Sequence, residues 1–226
     1  MIVSEPGTSG RKLSIIVHPA VADRLALLRD ATTPTALFRR TVEDLGIFLA
    51  YEATGALRTS DDEVQTPIGS ARVQRIAARP VVAPILRAGL GLLPGFLHVV
   101  DDAIVAHLGF YRDPKTLDAV AYYANVPDDL SQREVFVLDP MLATGHSGSA
   151  ALRALVARGA QQVTFVCLIA APEGINALRQ THPNVHIVTA AVDERLNEHS
   201  YIVPGLGDAG DRMFGSTSSV PTKLQI

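Results

Sequence analysis

Asp139 closes the apolar run Val135 to Leu138, and the small or hydroxylated residues Thr144, Gly145, Ser147 and Gly148 follow before helix-forming residues take over. An apolar strand that ends on an acid and passes through such a loop into a helix is suited to holding a phosphate. The helix start offers unpaired N–H donors and about half a positive charge, so an anion laid against Thr144 to Ser147 needs no lysine. Asp139, left at the carboxyl edge of a sheet, faces the crevice where α/β proteins hold ligands, and its carboxylate can accept hydrogen bonds from vicinal sugar hydroxyls. Phosphate and polyol together point to a phosphorylated sugar. The alternative is that Asp139 only caps a turn that the glycines close. A P-loop kinase is disfavoured, because no Gly-Lys-Ser/Thr ends the loop.

Two arginines and a glycine run add to the candidates. In VVAPILRAGLGLLPG, Val81 to Gly95, Arg87 falls between an apolar strand and a glycine-rich turn. An arginine there either faces an oxyanion, which its guanidinium suits bidentately, or pairs with a helix carbonyl or surface carboxylate. Arg112 lies in GFYRDPKTLDAVAYY, Gly109 to Tyr123, and by itself reads as a hairpin charge. The run Tyr201 to Gly215 contains Gly205, Gly207 and Gly210 and so matches G-x-G-x-x-G. A dinucleotide fingerprint needs a helix, a second strand and an acid about 20 residues on, and the 226-residue sequence stops too soon after Gly210. What the run offers instead is exposed backbone beside rigid Pro204, able to read the edge of a planar base. Asp208 is either part of that site or a turn-stabilising residue.

The order acid, Ala-Thr-Gly, Ser across strand, loop and helix is similar to the phosphoribosyl-diphosphate loop of type I phosphoribosyltransferases. The form DPMLATG resembles the uracil phosphoribosyltransferase family, in which Pro140 stands where most relatives carry a second acid, and the likeness runs from about Val17 to Gly215. The resemblance implies that phosphoribosyl diphosphate meets Arg87, Arg112, Asp208 and the loop Asp139, Pro140, Met141, Leu142, Ala143, Thr144, Gly145, His146 and Ser147. It implies uracil contacts at Ile202, Gly207, Asp208 and Ala209, and catalytic work by Arg87, Arg112, Asp139 and Asp208. Uracil presents acceptor, donor, acceptor along O2, N3–H and O4, so fixed backbone partners would leave cytosine mispaired. His146 departs from the family, which carries glycine there, and this puts the loop's conformation and phosphate affinity in question. Also implied are Mg²⁺ held mainly by the substrate's diphosphate, a homo-oligomer and GTP as an effector, with no residue placing a GTP site. The competing functions are transfer to another base, or a regulator that senses phosphoribosyl diphosphate on the same fold.

These residues need a scaffold. Apolar runs at Val81 to Leu86, Ala103 to Phe110, Val135 to Leu138, Val163 to Ile169 and Val185 to Thr189 read as strands. Helical stretches at Ser147 to Arg158 and Glu173 to His182 alternate with them, the pattern of a mostly parallel sheet flanked by helices. Val21, Leu25 and Leu28, then Phe38, Val42, Leu45 and Leu49, repeat at helical spacing in the first quarter. Thr116 to Asn125 reads as a hairpin arm on the surface. The expectation is an α/β, type I phosphoribosyltransferase-like fold in one domain over 1–226. Residues 1–10 and 216–226 are expected to fray, and the N-terminal helices and 190–215 to pack around the core.

Composition excludes several classes. With 47% hydrophobic and 19% charged residues the chain can bury a core, and a net charge of −3 without a basic stripe argues against nucleic acid. Cys167, the one cysteine, lies in an apolar run and reads as a buried thiol in a reducing compartment. Neither a signal peptide nor an apolar stretch near ~18 residues appears, so the expected setting is cytoplasmic and away from membranes. The seven histidines show no metal-ligand spacing, and no residue is assigned to a metal.

Overall fold

The computed structural model describes residues 2–4, 13–112 and 119–216. Strand β1 (Ile2–Ser4) pairs antiparallel with β2 (Leu13–Ile16), and helices α1 (Pro19–Arg29) and α2 (Thr35–Thr54) follow. Val21, Leu25 and Leu28 of α1 are buried, as are Phe38, Val42, Leu45 and Leu49 of α2, which is the spacing read from the sequence. His18 caps α1 by accepting the Ala20 N–H on Nδ1 at 3.1 Å, with Pro19 behind it in the first turn, where no N–H is needed.

The hairpin of β3 (Thr59–Gln65) and β4 (Ser70–Ile76) has no counterpart in the sequence expectations. Asp61, Asp62 and Glu63 deny it an apolar face, and its register is supported by side-chain pairs such as Arg75 Nε to Asp62 Oδ2 at 2.7 Å. Next come β5 (Val81–Leu86), a 3₁₀ turn (Ala88–Gly91) and the short helix α3 (Leu93–Leu97). The expected strand at 103–110 is interrupted at Ala106 into β6 (Ile104–Val105) and β7 (His107–Arg112).

The break has a cause in β5. Val82 O accepts the Ala106 N–H at 2.9 Å, and by strand alternation residue 84 turns to the same side. Residue 84 is proline and has no N–H to offer, and the neighbouring strand is interrupted beside it.

Strand β8 (Ala119–Asn125) pairs antiparallel with β7, so the expected surface arm is, over its described part, the outer strand of the main sheet. The chain continues through β9 (Glu134–Leu138), β10 (Met141–Leu142), α4 (His146–Val156), β11 (Gln162–Ala170) and α5 (Pro172–Thr181). It closes with β12 (His186–Val192), β13 (Arg195–Leu196), β14 (Ile202–Val203) and α6 (Ala209–Phe214). The terminal segments expected to fray lie outside the described residues, apart from 2–4 and 216.

Among the described residues the main sheet has ten strands, with the path β1-β2-β12-β11-β9-β5-β7-β8. The pairings from β2 to β7 are parallel, and the two outermost, β1 with β2 and β7 with β8, are antiparallel. Central β11 contributes Val166 and Leu168 to one core and Phe165 and Cys167 to the other, each fully buried. Helices α1, α2, α3 and α6 cover the first face, around Phe38, Leu45, Leu49 and Phe96. Helices α4 and α5 cover the second, with Leu152, Leu155 and Leu178. A strand buried on both faces has no reason to alternate polar and apolar residues, which accounts for the unbroken run in β11. No helix among the described residues is long and apolar enough to cross a membrane.

Topology then decides where a ligand can lie. After β5 the chain moves outward to β7 and β8, returns to β9 on the other side of β5, and steps from there to β11 and β12. The order reverses between β5 and β9, and at such a switch point the crossing connections diverge and leave a crevice outside the carboxyl ends of the strands.

Candidate active site

Arg87 follows the last residue of β5 and Asp139 follows the last residue of β9, so these two candidates flank the switch point. They are far apart in sequence, and the parallel pairing Pro84 to Leu138 brings their strand ends together. The Asp139 N–H donates to Val166 O at 3.1 Å, which fixes the residue against β11. Burial pushes the Asp139 carboxyl up to about 7, although the Met141 N–H that it accepts pulls the other way. Cap and ligand group are therefore both open to it: it closes the turn and also faces the cavity.

That cavity, about 250 Å³, is walled by Asp139, Met141 and Ala143 on one side and by Ile202, Gly207, Asp208, Ala209 and Gly210 on the other. Ala88, Ser200 and Tyr201 complete it. Seven of the residues singled out from the sequence thus meet around one space. Sequence reasoning missed Ala88, Ser200, Tyr201 and Gly210 as wall residues. Position beside Arg87 or within the glycine run was the available signal for Ala88 and Gly210, whereas Ser200 and Tyr201 carried none.

The other loop residues are placed differently. Pro140 has no N–H, and its C=O accepts from Leu168 and Ile169 at 3.0 and 3.3 Å. Leu142 is buried in the core beneath α4, with its C=O taken by the Ala171 N–H at 2.9 Å. Thr144, Gly145, His146 and Ser147 lie beyond the cavity wall, at the start of α4. Gly145 takes φ +78°, which admits a side chain only with strain, and a Cβ there would be 3.1 Å from both Ala177 Cβ and Gly174 O. It is the helix N-cap but has no side chain to cap with, so the first-turn N–H groups keep their donors for an anion.

His146 is the first helical residue and its side chain is exposed. Among the described residues Ser200 is the one non-glycine with positive φ, so position 146 does not require glycine's backbone freedom. The ring stands clear of the loop interior.

Arg87 rests folded over α6, with Nη2 3.6 Å from Asp211 Oδ1, Nη1 3.4 Å from Ser216 Oγ, and Cζ 5.9 Å from the centre of the Phe214 ring. The pair is long and the side chain exposed, an arrangement worth about 0–1 kcal/mol, so an anion could readily take the arginine. Arg112 ends β7 at the sheet's outer hairpin.

Asp208 is the N-cap of α6, with Oδ1 accepting the Asp211 N–H at 2.9 Å, so the turn-stabilising alternative describes something real. The same residue lines the cavity, and the two roles coexist. The G-x-G-x-x-G match leads into a helix of only six residues, Ala209–Phe214, with Gly205 and Gly207 at φ +64° and +77°. It builds a tight turn into a short helix rather than a dinucleotide fold. Cys167 is buried, and burial pushes its thiol up to about 12, which makes it inert at neutral pH.

The family model described as uracil phosphoribosyltransferase matches residues 15–216. Curated relatives named uracil phosphoribosyltransferase, from Streptococcus agalactiae serotype III and Staphylococcus epidermidis, are each 48% identical over 206 residues, which is 91% of this chain and 99% of theirs. Among solved structures, the AQ2163 protein from Aquifex aeolicus aligns with a TM-score of 0.86 and 38% identity, over 92% of this chain and 100% of that one.

Proposed function

This chain belongs to the uracil phosphoribosyltransferase family, and from that premise we propose how its residues share the work. The reaction moves a 5-phosphoribosyl group from phosphoribosyl diphosphate to N1 of uracil and yields UMP and diphosphate, a step of pyrimidine salvage. The observation that carries the residue assignments is a single cavity walled by Asp139 from the sheet's switch point and by the Ile202 and Gly207 to Ala209 turn. The sugar phosphate lies against the uncapped start of α4, from Thr144 to Ser147. Asp139 accepts the ribose hydroxyls, and the backbone of the glycine turn reads the uracil edge.

Displacement at the anomeric carbon develops positive charge on the ring and negative charge on the departing diphosphate. The protein's contribution is to position the two substrates and to neutralise the leaving group. Arg87 leaves Asp211 for the diphosphate, and Arg112 approaches it from the outer hairpin. Asp208, a cavity carboxylate with one oxygen already engaged by the Asp211 N–H, is the residue we assign to accept the uracil N1 proton if a protein group takes it.

Mg²⁺ prefers phosphate oxygens and water to cages made wholly of protein. The described residues contain no group of three or more His, Cys, Asp or Glu able to hold a metal, and the carboxylates at the cavity are those of Asp139 and Asp208. This donor set fits an ion carried in by the diphosphate, where it would offset the charge of the leaving group.

The test is parallel incubation of the protein, Mg²⁺ and phosphoribosyl diphosphate with uracil, cytosine, orotate or hypoxanthine, followed by chromatography of nucleotide and diphosphate. UMP from uracil alone is the expected result. Product from another base supports the other-base enzyme, and binding of phosphoribosyl diphosphate with no product supports the sensing regulator. The family resemblance also supports GTP as an activator and a homo-oligomer. Adding GTP to the same assay checks the first, and sedimentation checks the second.

A further inference from the structure

Gly205, in the turn that carries the base-site glycines, is gripped at both of its backbone polar groups by one pair of side chains. Arg29 donates from Nη1 to Gly205 O at 2.8 Å and to Asp193 Oδ2 at 2.9 Å, and from Nη2 to Asp193 Oδ1 at 2.6 Å. Asp193 Oδ2 in turn accepts the Gly205 N–H at 2.9 Å. The Asp193 side chain is only 4% exposed, and both of its oxygens are used. Neither residue lines the cavity.

We propose that Arg29 and Asp193 are positioning residues for the base subsite: by holding Gly205 they set where Ile202 on one side and Gly207 to Ala209 on the other meet the uracil ring. The proposal rests on the assignment of that turn to uracil. Its first support is geometric. Gly205 at φ +64° folds so tightly onto Ile202 that a Cβ would be 2.1 Å from Ile202 O, so a shift of Gly205 passes directly to a cavity wall residue.

The second support is the frame to which the grip is tied. Arg29 is the last residue of α1, and Asp193 follows β12 with its N–H on Ala170 O at 2.8 Å, at the end of central β11. The turn is thereby referenced to the sheet that carries Asp139. Arg212 secures the next residue to the same end of α1. It donates to Leu206 O at 2.8 Å, to Leu28 O, and to Asp30 O at 2.5 Å, while its Cζ stacks 4.2 Å from the Phe38 ring centre.

The third support is energetic. Well-packed apolar residues in place of a largely buried ion pair often cost little stability, but they could not bind both backbone polar groups of Gly205 as Arg29 and Asp193 do.

The test uses the full chain as wild type, Asp193→Asn and Arg29→Lys. Uracil KM and kcat, the turnover of cytosine relative to uracil, calorimetric binding of phosphoribosyl diphosphate alone, and Tm are measured for each. Asp193→Asn is expected to raise uracil KM about tenfold or more, the equivalent of one lost buried hydrogen bond, and to weaken discrimination against cytosine. Affinity for phosphoribosyl diphosphate falls by a smaller factor than affinity for uracil, because Asp139 and α4 are held by other contacts and Asp208 is the one residue of this turn expected to meet that substrate. Arg29→Lys, whose ammonium cannot fork onto both Asp193 and Gly205, moves the same way by a smaller factor and carries the test if Asp193→Asn does not fold.

Unchanged uracil KM in a folded variant overturns the proposal, as does an equal loss of affinity for both substrates, which would mean general loosening. Failure of the wild-type protein to use uracil would instead overturn the assignment on which the proposal rests.

Discussion

Asp139→Asn is the perturbation whose effects can be worked out most fully from the structure. The carboxyl ionises at about 7 in the ligand-free protein, against 3.8 in a solvated chain, because burial penalises its charged form. Ribose hydroxyls donate to it best when it is a carboxylate, so the affinity of the wild type for phosphoribosyl diphosphate should climb as pH rises toward 7 and level off above. A hydrogen bond to a charged group is worth about 1.5–3 kcal/mol, and asparagine keeps one acceptor oxygen but no charge. Binding by the variant at pH 8 is therefore expected to be about 10- to 150-fold weaker than by the wild type, with the gap closing to a few-fold at pH 5.5.

Stability moves the opposite way. Since the folded state holds this proton more tightly than the unfolded chain, stability falls as pH rises from about 4 to about 7 and stays lower above. The difference in pKa corresponds to a cost of at most about 4 kcal/mol. Asp139→Asn removes this cost, so above pH 7 the ligand-free variant should resist urea better than the wild type. Calorimetry and urea unfolding between pH 5.5 and 8.5 read both effects, and the variant shares the ligand's own phosphate titration, which therefore cancels. Wild-type affinity that is flat through pH 7 relative to the variant, or equal affinities at pH 8, would refute the reasoning.

Arg87→Ala should lower kcat/KM about 100-fold by removing charge opposite the leaving diphosphate, while Tm hardly moves because its resting contacts are long and exposed; unchanged kinetics would remove it from the site. Asp208→Ala should lose an N-cap worth about 1 kcal/mol and also most of the activity, and a lowered Tm with normal turnover would confine the residue to capping. His146→Gly should leave affinity for phosphoribosyl diphosphate within about threefold, since the ring is exposed and its backbone is helical; a tenfold change would show that the side chain reaches the ligand.

The strand, loop and helix order from Val135 through Ser147 was legible in the sequence because it is local: strand end, small residues and helix start are neighbours in the chain. The same holds for the apolar spacing of α1 and α2 and for the unbroken run of β11, whose burial on both faces leaves no polar alternation. The hairpin at Thr59 to Ile76 was not legible, because a pair of strands exposed on both faces and held by Arg75 with Asp62 carries no hydrophobic period.

Local sequence also could not show how roles overlap. Asp139 and Asp208 each satisfy a neighbouring backbone N–H and face the cavity, and choosing between those readings required seeing both contacts. Residue order alone carried the residue types of the loop from Asp139 to Ser147, the strand and helix alternation, and the glycines of the turn before α6. It took the folded chain to show that β5 and β9 are adjacent where the strand order reverses, which pairs the strand ends before Arg87 and Asp139, and that Arg29 and Asp193 clasp Gly205. Adjacency across about 50 residues in the first case and 164 in the second depends on sheet order and helix docking, and no periodicity or local spacing in a chain encodes these directly.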